Sequence, residues 1–116
     1  MRIDVFGIQS CDTCRKARKW LAGQELDFRW VDLRETAPPR ADVERWLSAV
    51  GAEVLVNRRS STWRGLGEVE RAKLDSAAVI DLLLEHPTLI KRPLFERGDD
   101  VHAGFGDVQR QWLLRK

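Results

Sequence analysis

The sequence predicts an α/β fold in which a mixed four-stranded sheet carries helices on its faces. Three observations lead there. First, an apolar run from Ile3 to Ile8 alternates like a strand, residues 12–22 have helical spacing, and Leu26, Phe28 and Trp30 alternate again. Strand, helix and strand in that order form a βαβ unit, a parallel pair joined by a right-handed crossover. Second, the spacing is then mainly helical as far as His86-Pro87. Third, the chain ends with two short strand-like runs around Gly98-Asp99-Asp100, a hairpin turn signal, and one more helix.

Each element has its own warrant. Ile3, Val5 and Ile8 make a short, buried first strand. The first helix takes its N-cap oxygen from Asp12 or Thr13, places Cys14, Ala17 and Leu21 on one face, and finds a C-terminal stop at Gly23. Pro38-Pro39 forbids helix before it and suits the first turn after it, so Val43, Trp46, Leu47 and Val50 form a helical stripe that Gly51 ends. Residues 52–56 are a short apolar piece, residues 57–64 a polar loop, and Trp63, Leu66 and Val69 the anchors of a short helix. Asp75-Ser76 caps a helix whose inner stripe is Ala78, Val79, Leu82 and Leu83. Residues 89–95 read as a strand interrupted by Pro93, which belongs to an edge, a bulge or a tight turn. Residues 101–105 return as a strand, and Asp107 opens a last helix with Val108, Trp112 and Leu113 inward.

With 116 residues, 43% hydrophobic and 33% charged, the chain is expected to be one globular domain, residues 1–116, with a helical insert at about 39–87. A formal net charge of +2 argues for neither nucleic acid nor membrane, and the basic residues are dispersed rather than gathered on one helix. No apolar run approaches the roughly 18 residues of a membrane span. Met1-Arg2 leads straight into a strand carrying Asp4, without a signal-peptide pattern, so the expected location is cytoplasmic.

The chemistry is concentrated where the first strand gives way to the first helix, at Gln9-Ser10-Cys11-Asp12-Thr13-Cys14. A thiol at a helix N-terminus meets unpaired N–H groups and the positive end of the helix dipole, and both favour thiolate. Arg15 and Lys16 add positive charge one turn on. A βαβ unit with CxxC at its first turn reads as thioredoxin-like. Cys11 would attack, and Cys14, one turn in, would resolve the mixed disulfide. The plainer reading makes both ordinary cysteines, Cys14 being a small core residue. No metal site is expected: structural zinc wants four ligands, and only His86 and His102 remain, both far away in sequence. Among the arginines, Arg58, Arg59 and Arg64 share the polar loop, and Arg92 precedes Pro93. Such groups either face solvent or lower a nearby thiol pKa and grip oxyanions. Of the five tryptophans, four fit apolar stripes and read as core; Trp63 does not.

Taken together, Ser10-Cys11-Asp12-Thr13-Cys14-Arg15-Lys16-Ala17, Asn57-Arg58-Arg59-Ser60-Ser61-Thr62-Trp63-Arg64, Ile90-Lys91-Arg92-Pro93-Leu94 and Gly104-Phe105 resemble the ArsC/Spx family of arsenate reductase-like thioredoxin-fold proteins. The Thr-Trp-Arg segment and the Gly-Phe ending look most like its YffB-type branch. The resemblance implies a thioredoxin fold with an inserted helical subdomain, a catalytic Cys11, an anion-binding Arg92 followed by a cis bond to Pro93, and Arg59 as the arginine of the loop. It departs from the glutathione-linked arsenate reductases at two places. Residues 101–106 contain no arginine, and Asn57 stands where the first loop arginine falls. The pair Cys11 and Cys14 is similar to that of the Spx branch, a redox switch on a regulator that binds RNA polymerase.

The expected activity is therefore a glutathione-dependent thiol–disulfide oxidoreductase, with no bound cofactor and glutathione as co-substrate. Cys11 is the nucleophile, Cys14 or glutathione the resolving thiol, and Arg92, Arg59, Arg15 and Pro93 the anion- and substrate-binding set. The alternatives are arsenate reduction proper and a redox-switched protein whose Cys11–Cys14 disulfide alters its affinity for a partner.

Overall fold

The computed structural model describes residues 2–115. They form two compact units: one from both ends of the chain, through Asp32 and again from Arg92, and one from Leu33–Lys91.

The first unit holds the sheet. Strands β1 (Ile3–Gly7), β2 (Phe28–Asp32), β3 (Leu94–Arg97) and β4 (Asp100–Ala103) lie in the order β2-β1-β3-β4. β1 pairs parallel with β2 and antiparallel with β3, and β3 pairs antiparallel with β4. Helix α1 (Asp12–Gly23) makes the crossover between the parallel pair. Register explains the core. Val5 lies opposite both Trp30 and Phe95, so Ile3, Val5 and Phe95 share one face. They pack there with Ala17 and Leu21 of α1 and with Trp112 and Leu113 of the last helix of the chain. Burying a side chain of this size stabilises by about 1.5–3 kcal/mol, so this face holds the unit together.

The sequence expectations hold in outline and shift in detail. β1 ends at Gly7 rather than Ile8, and β3 begins only after Pro93, because proline has no N–H for the ladder. The Gly98-Asp99 turn is a two-residue hairpin between paired Arg97 and Asp100, with Gly98 at a φ of 61°. Helix α1 runs through Gly23 instead of stopping before it. Its closure uses Glu25 at a φ of 57°: the Glu25 N–H donates to the Ala22 carbonyl and the Leu26 N–H to the Leu21 carbonyl.

The helical unit contains α2 (Arg40–Val50), α3 (Ala52–Leu55), α4 (Ser61–Arg64), α5 (Glu68–Ala72) and α6 (Val79–Glu85), with 3-10 turns at Lys73–Asp75 and Pro87–Leu89. α2 packs on α3 and α6. Val43, Trp46, Leu55, Val79, Leu82 and Leu83 are buried, as their spacing predicts. Part of the expected polar loop is helical, because the Ser60 hydroxyl caps α4 by accepting the Trp63 N–H at 3.1 Å. Val69 is 79% exposed and anchors nothing, and α5 buries none of its residues.

In the first unit again, α7 (Asp107–Leu114) buries Trp112 and Leu113. Val108 was expected inward, but it is 66% exposed, since this eight-residue helix buries only its last turn. Trp20 and Trp30 are half-buried and pack on the core from outside, whereas Trp46 and Trp112 are core proper. Arg97 closes α7 at its C-terminal end. Its guanidinium donates to the carbonyls of Trp112 at 2.7 Å, Leu113 at 3.2 Å and Arg115 at 3.1 Å, and lies 4.5 Å from the Trp112 ring centre. A cation on the last carbonyls of a helix is favourable, so Arg97→Ala is expected to cost about 2 kcal/mol. The check is a lower urea midpoint at unchanged slope, and an unmoved midpoint would deny this role.

Candidate active site

Strand β1 delivers the chain to a tight turn from Ile8 to Cys11, closed by the Cys11 N–H on the Ile8 carbonyl at 3.0 Å. The turn is tied to the neighbouring strand by Asp32, whose buried carboxylate accepts the Gln9 N–H at 2.8 Å. Helix α1 starts at the next residue, which makes Cys11 itself the N-cap, and neither Asp12 nor Thr13. A sulfur therefore sits where a capping oxygen usually does. As the resting thiol it makes no close cap bond, but the charged form is favoured by its surroundings. Partial burial opposes ionisation of Cys11. The Cys14 backbone N–H, the Cys14 thiol and the Arg92 guanidinium together outweigh it and hold the pKa below that of an ordinary thiol.

Cys14 is the opposite case. Its side chain is fully buried, and burial pushes its pKa up to about 12. The Ile8 backbone favours its charged form, whereas the neighbouring Cys11 raises its pKa further. Both cysteines are free thiols. One is thus disposed to be anionic and the other to stay protonated, beside each other on the first turn of one helix.

Of the other residues named from sequence, Arg92 is brought to Cys11 and is the cation that acts on it. The Arg92-Pro93 bond is cis, and the Pro93 carbonyl accepts the Gly104 N–H at 2.8 Å. Arg15 pairs with Asp12 at the exposed start of α1. Arg59 belongs to the helical unit. Its N–H donates to Asn57 Oδ1 at 3.1 Å and its carbonyl accepts from Arg64 at 2.8 Å. It lines a groove of about 480 Å³ together with Asn57, Arg58, Lys91 and Glu53, where Glu53 lies 3.7 Å from Arg58. A larger cleft of about 710 Å³ lies in the first unit at the start of β1, between Asp27, Arg97, Asp100 and Arg115, at the other end of the strand from the thiols. Among the described residues Glu70, Glu85 and His86 stand close enough to share a cation, but the Lys73 ammonium already sits 3.0 Å from Glu70.

Sequence reasoning passed over Gly7. A β-carbon built there would lie 2.5 Å from Cys14 Sγ and 2.9 Å from Cη2 of Trp30, both impossible contacts. The strand must end in glycine so that the thiol and the indole can lie against its backbone. An isolated glycine at the end of an apolar strand was the available signal.

An α/β fold with a mixed four-stranded sheet and a thiol pair at the start of its first helix defines a class of thiol-bearing proteins. Within it, the chain belongs to the ArsC family, whose model matches residues 6–111. The solved structure of a YffB protein superposes with a TM-score of 0.90 at 34% identity, covering 97% of this chain and 99% of that one. A solved arsenate reductase (ArsC) related protein from Brucella melitensis does so with a TM-score of 0.77 at 34% identity, over 97% and 93%. The global transcriptional regulator Spx of Streptococcus pyogenes serotype M3 is 30% identical over 98% of this chain and 86% of its own. Among the described residues no helix is long and apolar enough to cross a membrane.

The two thiols should titrate apart. Far-ultraviolet absorbance is expected to show one thiolate forming below the ordinary value of 9.0 and the second only near 12. Arg92→Ala removes the favourable charge, so the first titration should move up toward the ordinary value. An Arg92→Ala curve that overlays the wild type would remove Arg92 from the site.

Proposed function

We propose that this protein is a glutathione-dependent thiol–disulfide oxidoreductase. The observation that carries the reading is the Cys11 sulfur at the N-cap of α1 with Arg92 acting on it, next to a thiol held protonated. Cys11 thiolate attacks one sulfur of a disulfide RSSR′. The S–S bond breaks, R′S⁻ leaves with the electron pair and takes a proton from water, and Cys11 is left joined to R. Its negative charge is now gone, and with it one of the influences that raised the Cys14 pKa, while burial, the larger one, remains. The Ile8 backbone and Arg92 both favour Cys14 thiolate and are no longer opposed by that charge. Cys14 gives up its proton to water and attacks Cys11 Sγ, expelling RS⁻, which takes a proton from water in turn, and closing a Cys11–Cys14 disulfide. Two glutathione thiols then restore the dithiol and leave as glutathione disulfide. Arg92 is assigned the anionic group beside the reacting sulfur. Arg59, with Arg58 and Lys91 around its own groove, is assigned anion binding in the helical unit, and Pro93 shapes the backbone that follows Arg92. Arg15, paired with Asp12, is the least suited of the set.

A second reading is a redox-switched protein whose Cys11–Cys14 disulfide changes its affinity for a protein partner; the 30% identity to an Spx regulator favours it. Arsenate reduction draws on the family membership but lacks two of the oxyanion-binding arginines, with Asn57 in the loop and no arginine in residues 101–106.

Turnover of a small disulfide in an assay coupled to glutathione reductase and NADPH tests the first reading. Cys11→Ser is expected to lower it by roughly 10³-fold or more, whereas Cys14→Ser leaves glutathione to resolve the intermediate and retains a measurable rate. Full activity in Cys11→Ser would end the assignment, and absence of turnover in the wild type would transfer it to the redox-switched reading.

A further inference from the structure

The resolving thiol has a cover that the disulfide chemistry does not explain. Cys14 occupies the first turn of α1, and its Sγ lies against the backbone of Gly7. The far edge of the Trp30 ring, Cη2 and Cζ3, reaches the same point from β2, 2.9 and 3.1 Å from where a Gly7 β-carbon would be. Trp30 is half-buried on a strand at the end of the sheet order, paired with Val5. The guanidinium of Arg18, one helical turn beyond Cys14, lies 4.3 Å from the Trp30 ring centre. The buried Cys14 sulfur and the edge of the half-buried indole thus meet over Gly7, and the Arg18 guanidinium lies over the same ring.

We propose that Trp30, clamped by Arg18, is a positioning residue that seals Cys14 from water and reagents and keeps it aimed at Cys11, so that the two thiols react in a fixed order. The residue types suit the role. Sulfur packs favourably at the edge of an aromatic ring, and an arginine stacks well on an indole face. Gly7 makes the approach possible, since any side chain there would drive Cys14 and Trp30 apart. Function requires such a seal because Cys14 is useful only after Cys11 has been modified. An open Cys14 thiolate could itself attack glutathione disulfide, forming Cys14–S–S–glutathione and releasing one glutathione thiolate, and that adduct leaves Cys11 without its resolving partner.

The inference rests on reading Cys11 and Cys14 as attacking and resolving thiols, but its test measures Cys14 directly and needs no substrate. In a Cys11→Ser background, the rate of iodoacetamide labelling at Cys14 is followed by intact mass across a pH series. Adding Trp30→Ala should raise that rate roughly tenfold and shift its pH profile down, because the thiol gains water. Trp20→Ala is the comparison: Trp20 packs on the same core but meets Phe105 edge-on, with ring centres 5.6 Å apart, and should leave the rate near its starting value. If Trp30→Ala does not melt cooperatively, Arg18→Ala carries the test, with a rise of roughly threefold expected from a loosened indole. Unchanged labelling in Trp30→Ala, or an equal rise in Trp20→Ala, would overturn the proposal, as would an unchanged rate in Arg18→Ala where that variant carries the test. Failure of the disulfide reductase reading would leave these rates as predicted.

Discussion

A sulfur at the N-cap of α1 is the constraint on which the rest of the first unit depends. A thiolate there needs N–H groups and a cation on one side and a neighbour that will not compete for the proton on the other. The first turn of α1 supplies the Cys14 N–H, and the segment just before β3 supplies Arg92. Cys14 supplies both a hydrogen bond and the contrast in acidity, because burial holds its own proton. The core of Ile3, Val5, Ala17, Leu21 and Phe95 fixes α1 against the strands that carry these groups. The hydrophobic packing and the chemistry are therefore one arrangement: α1 is oriented by Ala17 and Leu21, and that orientation puts Cys14 inward and Cys11 at the rim.

Asymmetry within the pair matters more than the acidity of either thiol alone. Two equally exposed cysteines would react at random and close into a disulfide without selecting a substrate. Burial separates them by solvation, a difference that local charges modulate but do not create. The separation also narrows if Cys11 is capped, since that removes the charge that adds to the raised pKa of Cys14, while the burial that creates it remains. The same asymmetry would suit an enzyme or a redox switch.

Much of this was legible in the sequence because it is local. Period-two and helical spacing located the sheet and most helices, and the CxxC pair at a strand-to-helix corner located the chemistry. Part of what escaped depends on atoms brought together from distant segments, and part on where a turn or helix ends and which nearby group an arginine takes. The capping role of Cys11 follows from where the turn ends, which spacing gives only to within a residue or two. The partner of Arg15 was invisible because Asp12, three residues back, competes for it with any site anion. Gly7 looked like a strand end and is a contact surface for Cys14 and Trp30. Trp30 looked like core and is a half-buried layer, because a strand at the end of the sheet order leaves one side of its side chains to whatever helix residue can reach them, here Arg18. Val69 and Val108 fit apolar patterns on helices that bury no residue, in α5, or only the last turn, in α7.

The most direct measurement is the identity of the cysteine that reacts first. Reduced protein treated briefly at neutral pH with less than one equivalent of a mixed-disulfide reagent, quenched in acid and mapped by peptide mass spectrometry, reports it. The account predicts the adduct, or the Cys11–Cys14 disulfide that follows from it, with Cys11 as the entry point and Cys14→Ser accumulating the Cys11 adduct. Adducts formed first on Cys14, or shared equally between the two thiols, would contradict it.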